Sequence, residues 1–122
     1  MTGREVLMAA AGLLGESEDG MRYYEQFALV YLNQLLADCL RETNALRVRD
    51  GLDELRVPPQ MQSLEQEVPG EEAMIRECFP YGFAALCICD DDREKFNWLS
   101  AEFSARLDLH CPAAQFAIEE LY

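Results

Sequence analysis

The longest helix-period run in the chain lies between Met21 and Leu46, MRYYEQFALVYLNQLLADCLRETNAL. Tyr24, Phe27, Ala28, Tyr31, Leu32, Leu35 and Cys39 recur at three- and four-residue steps and form one broad apolar stripe. Leu29, Leu36 and Leu40 add a second ridge. Arg22, Glu25, Gln26, Asn33, Gln34, Asp38, Arg41 and Glu42 leave a narrow wettable side. The pattern predicts a single helix over 21–46 on which the rest of the chain packs. A helix so apolar needs at least two neighbouring elements, or a second copy of the protein, to cover it.

Thr2-Gly-Arg-Glu5 has the spacing of a capping box, with Thr2 as N-cap. It opens a helix over 1–15 that buries Val6, Ala10, Leu13 and Leu14 and stops at Gly15. Glu16 to Gly20 is a polar turn. Residues 47–69 carry Gly51, Pro58, Pro59 and Pro69, which exclude a long helix. Leu52, Leu55, Val57, Met61, Leu64 and Val68 punctuate that stretch, predicting an ordered loop pinned to the body. Loops of that length inside a compact domain are uncommon and are usually functional or an interface.

Pro69 suits the first position of a helix over 70–89, with Glu71 and Glu72 at its positive end. Pro80 removes a bond to the Arg76 carbonyl, so a kink or short break is expected there. Gly82, Ala84 and Ala85 allow a neighbour to approach closely. Asp91 with Glu94 repeats the capping-box spacing and opens a helix over 91–109, whose core face is Phe96, Leu99, Phe103 and Leu107. A short tail, 110–122, carries Phe116, Ile118 and Leu121 in a terminal helical turn. The expected fold is all-α: one domain, a small bundle of four main helices with a long ordered loop between the second and third.

At 122 residues, area scaling buries roughly two-thirds of the unfolded chain's surface, enough for a core without staples. The net charge of −13 repels phosphate, which argues against nucleic-acid binding through a basic patch. Five cysteines, an odd number largely on apolar faces, read as reduced thiols used as small hydrophobes. The apolar run Tyr81 to Cys89 is too short to span a bilayer. With Glu5 set against it, Val6 to Gly15 reads as an amphipathic helix, not a signal peptide.

Candidate chemistry is sparse. Cys87 and Cys89 are separated by one residue and point apart on a helix, unlike a zinc knuckle. Together with His110 and Cys111 they offer a four-ligand site, against which stands the plainer reading of buried free thiols. His110 is the single histidine, so any nucleophile–base pair must use it; its place near a helix end is equally explained by the dipole. Asp90–Asp92 offers either a divalent-cation site or helix capping. No Gly-rich phosphate loop, HExxH or GxSxG pattern occurs. No catalytic residue, metal or cofactor is expected. Arg41, Arg47, Arg49 and Arg56 form the one basic cluster, offering surface pairing with Asp50, Asp53 and Glu54 or a docking patch for an acidic partner.

Several stretches together resemble the small α-helical head-to-tail connector (adaptor) proteins of tailed phages and prophages. They are MTGREVLMAAAGLLGE, YLNQLLADCLRETN, the loop element MQSLEQEVP before GEEA, and PYGFAALCICDDD leading into an aromatic-bearing helix. The likeness covers roughly Thr2 to Leu107 and rests on packing motifs. It implies a non-enzymatic virion component that forms a ring beneath the portal and lines the DNA channel. Its partners would be sister copies, the portal protein and the next neck or tail protein. No membrane, small-molecule substrate or sequence-specific nucleic acid is implied. The location would be the bacterial cytoplasm during assembly and then the virion. Interface residues expected on this reading are Arg47, Arg49, Leu55, Arg56, Val57, Pro58, Met61 and Leu64 in the loop, with Phe116 and Ile118 in a portal-docking tail. The tail is short, apolar and acidic, where a long basic arm would fit portal docking better. The alternative drawn from charge alone is an acidic helical regulator, a nucleic-acid mimic acting on a basic partner.

Overall fold

The computed structural model describes residues 1–111. Among them are six helices and no strand: α1 (Gly3–Leu14), α2 (Glu18–Glu25), α3 (Ala28–Asp38), α4 (Leu40–Arg49), α5 (Glu72–Ile88) and α6 (Arg93–His110). None is long and apolar enough to cross a membrane. The predicted ends of the first helix are both present. Thr2 Oγ1 accepts from the Glu5 amide, and the Glu5 side chain accepts from the Thr2 amide. At the other end Gly15 takes φ 69°, with Gly15 N bonded to Gly12 O and Glu16 N to Ala11 O, a Schellman closure.

The expected single helix over 21–46 is three helices. At the first break the Phe27 amide donates to Tyr24 O, one residue short of the α-helical partner. Gln26 Nε2 bonds the Tyr23 carbonyl instead, at 2.9 Å. At the second, Cys39 sits at φ −99°, ψ 12°, outside helical values, and is fully buried at the bend. Neither break involves Gly or Pro, and the apolar period runs on across both. The chain also continues past the predicted end at Leu46: α4 reaches Arg49 and closes on Gly51 (φ 80°). There Leu52 N bonds Arg47 O and Gly51 N bonds Val48 O, a second Schellman closure.

The hub of the bundle is α5, not the 21–46 stretch. It packs most extensively on α6 and α1 and also meets α3. Met74, Ile75, Cys78, Phe79, Phe83 and Ala84 on it are fully buried. Each large side chain among these contributes about 1.5–3 kcal/mol by leaving water. The helix begins at Glu72, three residues after Pro69, and continues through buried Pro80 without a break. Gly82 is the point of closest approach, where a Cβ would lie 2.8 Å from Leu35 Cδ2 and 2.9 Å from Phe103 Cε2. α6 is capped by Asp92, which accepts from the Lys95 amide at 3.0 Å, one residue later than the predicted Asp91.

One chain seals most of its apolar stripes. Ala28, Leu32, Leu35 and Leu36 of α3 are buried under α1, α5 and the loop, so a second copy is not needed to cover that face. An aromatic row climbs from exposed Tyr23 through Phe27 and Tyr31 to buried Phe83, with centroid spacings of 5.7, 6.1 and 5.7 Å. Tyr23, Val30, Trp98 and Leu109 remain more than half exposed.

Candidate functional site

Residues 50–71 join α4 to α5 without helix, and two asparagines hold them. Asn33 on α3 donates from Nδ2 to Met61 O (3.1 Å) and accepts from Met61 N at Oδ1 (2.7 Å). Asn44 on α4 does the same for Leu55, at 3.0 and 2.8 Å. Each side-chain amide thus pairs with a peptide group as a neighbouring strand would, satisfying a donor and an acceptor that lie outside any helix. Farther on, Gly3 N bonds Gln66 O, Arg4 N bonds Leu64 O and Val68 N bonds Met1 O, enclosing an isolated Thr2–Glu67 bridge. The Met1 ammonium adds ion pairs to Glu67 (2.6 Å) and Glu72 (2.7 Å).

Between these fastenings the loop divides its residues. Met61, Leu64 and Val68 point inward and are buried. Met61 and Leu64, expected to face a partner, instead form part of the core. Leu55, Pro58 and Pro59 are half-buried. Arg56 and Val57 face solvent, and Val57 is 72% exposed. Arg56 has no ion-pair partner among the described residues.

Behind that crest runs an open groove of about 450 Å³. Leu46, Arg47 and Asp50 form the α4 wall, Leu52, Leu55 and Pro59 the loop wall, and Pro69, Gly70 and Glu71 the end. Arg47 and Arg49 lie in the last turn of α4, where they complement the helix dipole. Arg49 ties the rim together, bonding Glu71 at 2.7 Å and Asp50 at 3.0 Å. These contacts hold Asp50 below its ordinary value, with the Arg49 hydrogen bond the largest cause. Arg47 spends Nε on the Asp53 carbonyl (2.7 Å) and meets no carboxylate at ion-pair distance among the described residues. The expected basic cluster is therefore split: Arg49 is neutralised, Arg47 lines the groove and Arg56 crowns the loop.

The remaining candidates have structural partners. Asp92 of the acidic run is a helix cap. His110 Nε2 lies 2.6 Å from Glu77 Oε2, tying the end of α6 to α5. Cys87 is buried and Cys89 exposed, as expected of residues two apart on a helix. Burial pushes the thiols of Cys78 and Cys87 up to about 12 and that of Cys111 to about 11, and raises Cys39 further. Such thiols are protonated at neutral pH and poor nucleophiles. Among the described residues no group of three or more His, Cys, Asp or Glu is placed to hold a metal ion. Phe116 and Ile118 lie outside the described residues.

Asn33 and Asn44 were hidden in the sequence among the polar positions of an amphipathic helix. The available signal is propensity, since asparagine is a poor helix former and each sits mid-helix without a capping role. A second exposed feature is Trp98, whose ring lies 6.2 Å from that of Tyr81, with Arg106 stacked 4.1 Å from the Tyr81 centroid. The site as built has the makings of a docking surface: exposed Val57, arginines without a carboxylate partner among the described residues, and an open groove on a fixed scaffold. No family model, curated protein or solved structure matches the chain.

Proposed function

We propose that the chain is a structural, non-enzymatic component of a tailed phage or prophage. On this reading it is a head–tail connector that assembles as a ring beneath the portal and lines the DNA channel. The observation that carries the proposal is the fastened 50–71 loop. Its ends and middle are bound to three helices, while Arg56 and Val57 are held out to solvent. Holding an apolar side chain out on a fixed support lowers the ordering cost of an interface. The resemblance over Thr2–Leu107 supplies the family, and the charge of −13 suits a wall past which DNA slides, since attraction to phosphate would retard it. Its partners are sister copies, the portal and the next neck or tail protein, met in the bacterial cytoplasm and then the virion.

The test is assembly on the portal. The protein is mixed with portal protein from the same gene cluster, and ring formation is followed by electron microscopy and sedimentation. The expected result is a ring on the portal, lost in the double variant Arg56→Glu/Val57→Asp while the thermal melt stays unchanged. A gene lying far from any portal or capsid gene, with no species larger than a monomer on any phage portal, would end the proposal. The nucleic-acid-mimic reading requires acid gathered on one face. Acidic residues occur on all six helices and along the loop, and the mimic reading predicts that those on one side of the bundle dominate.

A further inference from the structure

Two surfaces of different chemistry lie toward opposite ends of α5. The groove behind the Arg56–Val57 crest ends at Pro69–Gly70–Glu71, directly before the first turn of that helix. The aromatic row from Tyr23 through Phe27 and Tyr31 meets α5 at Phe83, near its other end, where Asp90 and Asp91 follow. The 17 residues of α5 span about 25 Å between them. The row forms an exposed ledge: Tyr23 is 63% exposed, and Val30, one turn on from Phe27, is 67% exposed. Its border is acidic. Burial raises the Tyr24 and Tyr31 hydroxyls above their ordinary value, and Asp91 and Asp90 respectively add to that effect, so both carboxylates lie on the side of these rings. Asp90 and Asp91 are exposed and meet no cation at ion-pair distance among the described residues. Of the neighbouring cations, Lys95 turns its ammonium to the Leu14 carbonyl (3.3 Å) and Arg93 faces solvent.

The crest has the complementary character. Arg56 is exposed and without a carboxylate partner among the described residues. Val57 leads into Pro58 and Pro59, and no backbone–backbone hydrogen bond among the described residues involves Arg56 to Gln60. A proline-bearing segment docks on aromatic surfaces, and the Asn44 and Asn33 anchors on either side lower its ordering cost. From this pairing we infer that the chain binds a second copy of itself head to tail. Val57 and Pro58 of one copy seat on the Tyr23–Phe27 ledge of the next, with Arg56 against its Asp90 or Asp91. Because crest and ledge lie toward different ends, the contact is heterologous: each added copy leaves one crest and one ledge open, and a ring forms where the rotation per step closes. The inference deepens the connector reading and rests on it for ring closure, whereas the contact itself requires no portal.

Sedimentation velocity follows full-length protein, without portal, from micromolar to millimolar concentration. Arg56→Glu/Val57→Asp disables the crest, and Tyr23→Ser/Asp90→Asn/Asp91→Asn disables the ledge, all at exposed positions. The expected result is that wild type grows beyond a dimer with concentration, and that either variant alone self-associates at least tenfold more weakly. An equal mixture of the two variants should form one-to-one dimers that grow no further, since a single intact crest meets a single intact ledge. Circular dichroism checks both folds. Should a variant fail to fold, cross-linking reads the same contact. Val57→Cys and Tyr23→Cys are placed on separate chains in a Cys89→Ser background, which removes the exposed thiol, and oxidised with diamide. Their link should form at least tenfold faster than one from Val57→Cys to Val48→Cys, an exposed position on α4. Wild type that stays monomeric, a mixture without dimers, or equal linking rates would overturn the inference. A ring on the portal without this contact would spare the connector reading, and head-to-tail association without portal binding would spare only the contact.

Discussion

Asn33→Ala tests the principle on which the loop is built. The substitution deletes both bonds to Met61, the 3.1 Å donation to its carbonyl and the 2.7 Å acceptance from its amide. A typical intramolecular hydrogen bond contributes about 0.5–1.5 kcal/mol net, and an orphaned buried group costs more. The pair is part-buried, so water recovers some of the loss. Alanine also returns about 0.5 kcal/mol of helix propensity. The expected cost is about 1–2.5 kcal/mol, read as a lower urea midpoint at unchanged slope. Because the anchor fails locally, limited proteolysis within 56–60 should accelerate more than global stability predicts. Asn33→Asp separates the two bonds: it keeps the acceptor for Met61 N but sets a carboxylate against the Met61 carbonyl. At neutral pH it should cost at least as much as alanine. An Asn33→Ala protein within about 0.5 kcal/mol of wild type, with loop cleavage unchanged, would refute the claim that side-chain amides hold this segment.

Three further outcomes follow from the packing and the charges. Gly82→Ala gains about 1 kcal/mol of helix propensity but drives a Cβ into Leu35 and the Phe103 ring at 2.8 and 2.9 Å. Overpacking of about 1–3 kcal/mol outweighs the gain, so the melting temperature should fall; a rise would show that α3 and α6 yield freely. Glu65 is held below its ordinary 4.5, chiefly by the Arg4 guanidinium and then by the Ser63 hydroxyl. A lowered folded-state pKa adds stability that is complete above 4.5 and disappears as pH falls through the folded value. The melting difference between wild type and Glu65→Gln should therefore shrink on acidification below 4.5, a comparison in which the repulsion among the other charged residues cancels; a difference constant with pH would contradict it. Iodoacetamide at pH 8 should label Cys89 at least tenfold faster than Cys39, Cys78 and Cys87 by mass spectrometry, and uniform labelling would mean that the core opens readily.

What the sequence disclosed was local. Thr2–Glu5 and Gly15 are legible because capping chemistry acts across a few residues, and the all-α class follows from periodicity. The breaks at Gln26–Phe27 and Cys39 were not, because the apolar spacing passes over them unchanged and the first is settled by a side chain taking a backbone carbonyl. Gly51 carried the information that α4 extends to Arg49, but between an arginine-rich stretch and a proline-rich one it reads as loop. The prominence of 21–46 misplaced the hub, since α5 is shorter yet touches more of the fold with small residues at its contacts. Of the candidate site, Arg47, Leu55, Arg56 and Val57 were legible as one region. That apolar residues pin the loop to the body was legible too, but that Met61, Leu64 and Val68 turn inward while Leu52 and Val57 do not was not, because alternation along an irregular loop has no fixed period.

The paired anchors at Leu55 and Met61 isolate Arg56 to Gln60 as an exchangeable cassette. Both of its ends are gripped through backbone atoms, so the grip does not depend on which side chains lie between them. Substitutions within these five residues leave the anchoring bonds in place. The residues displayed there can thus change while the bundle beneath keeps its sequence.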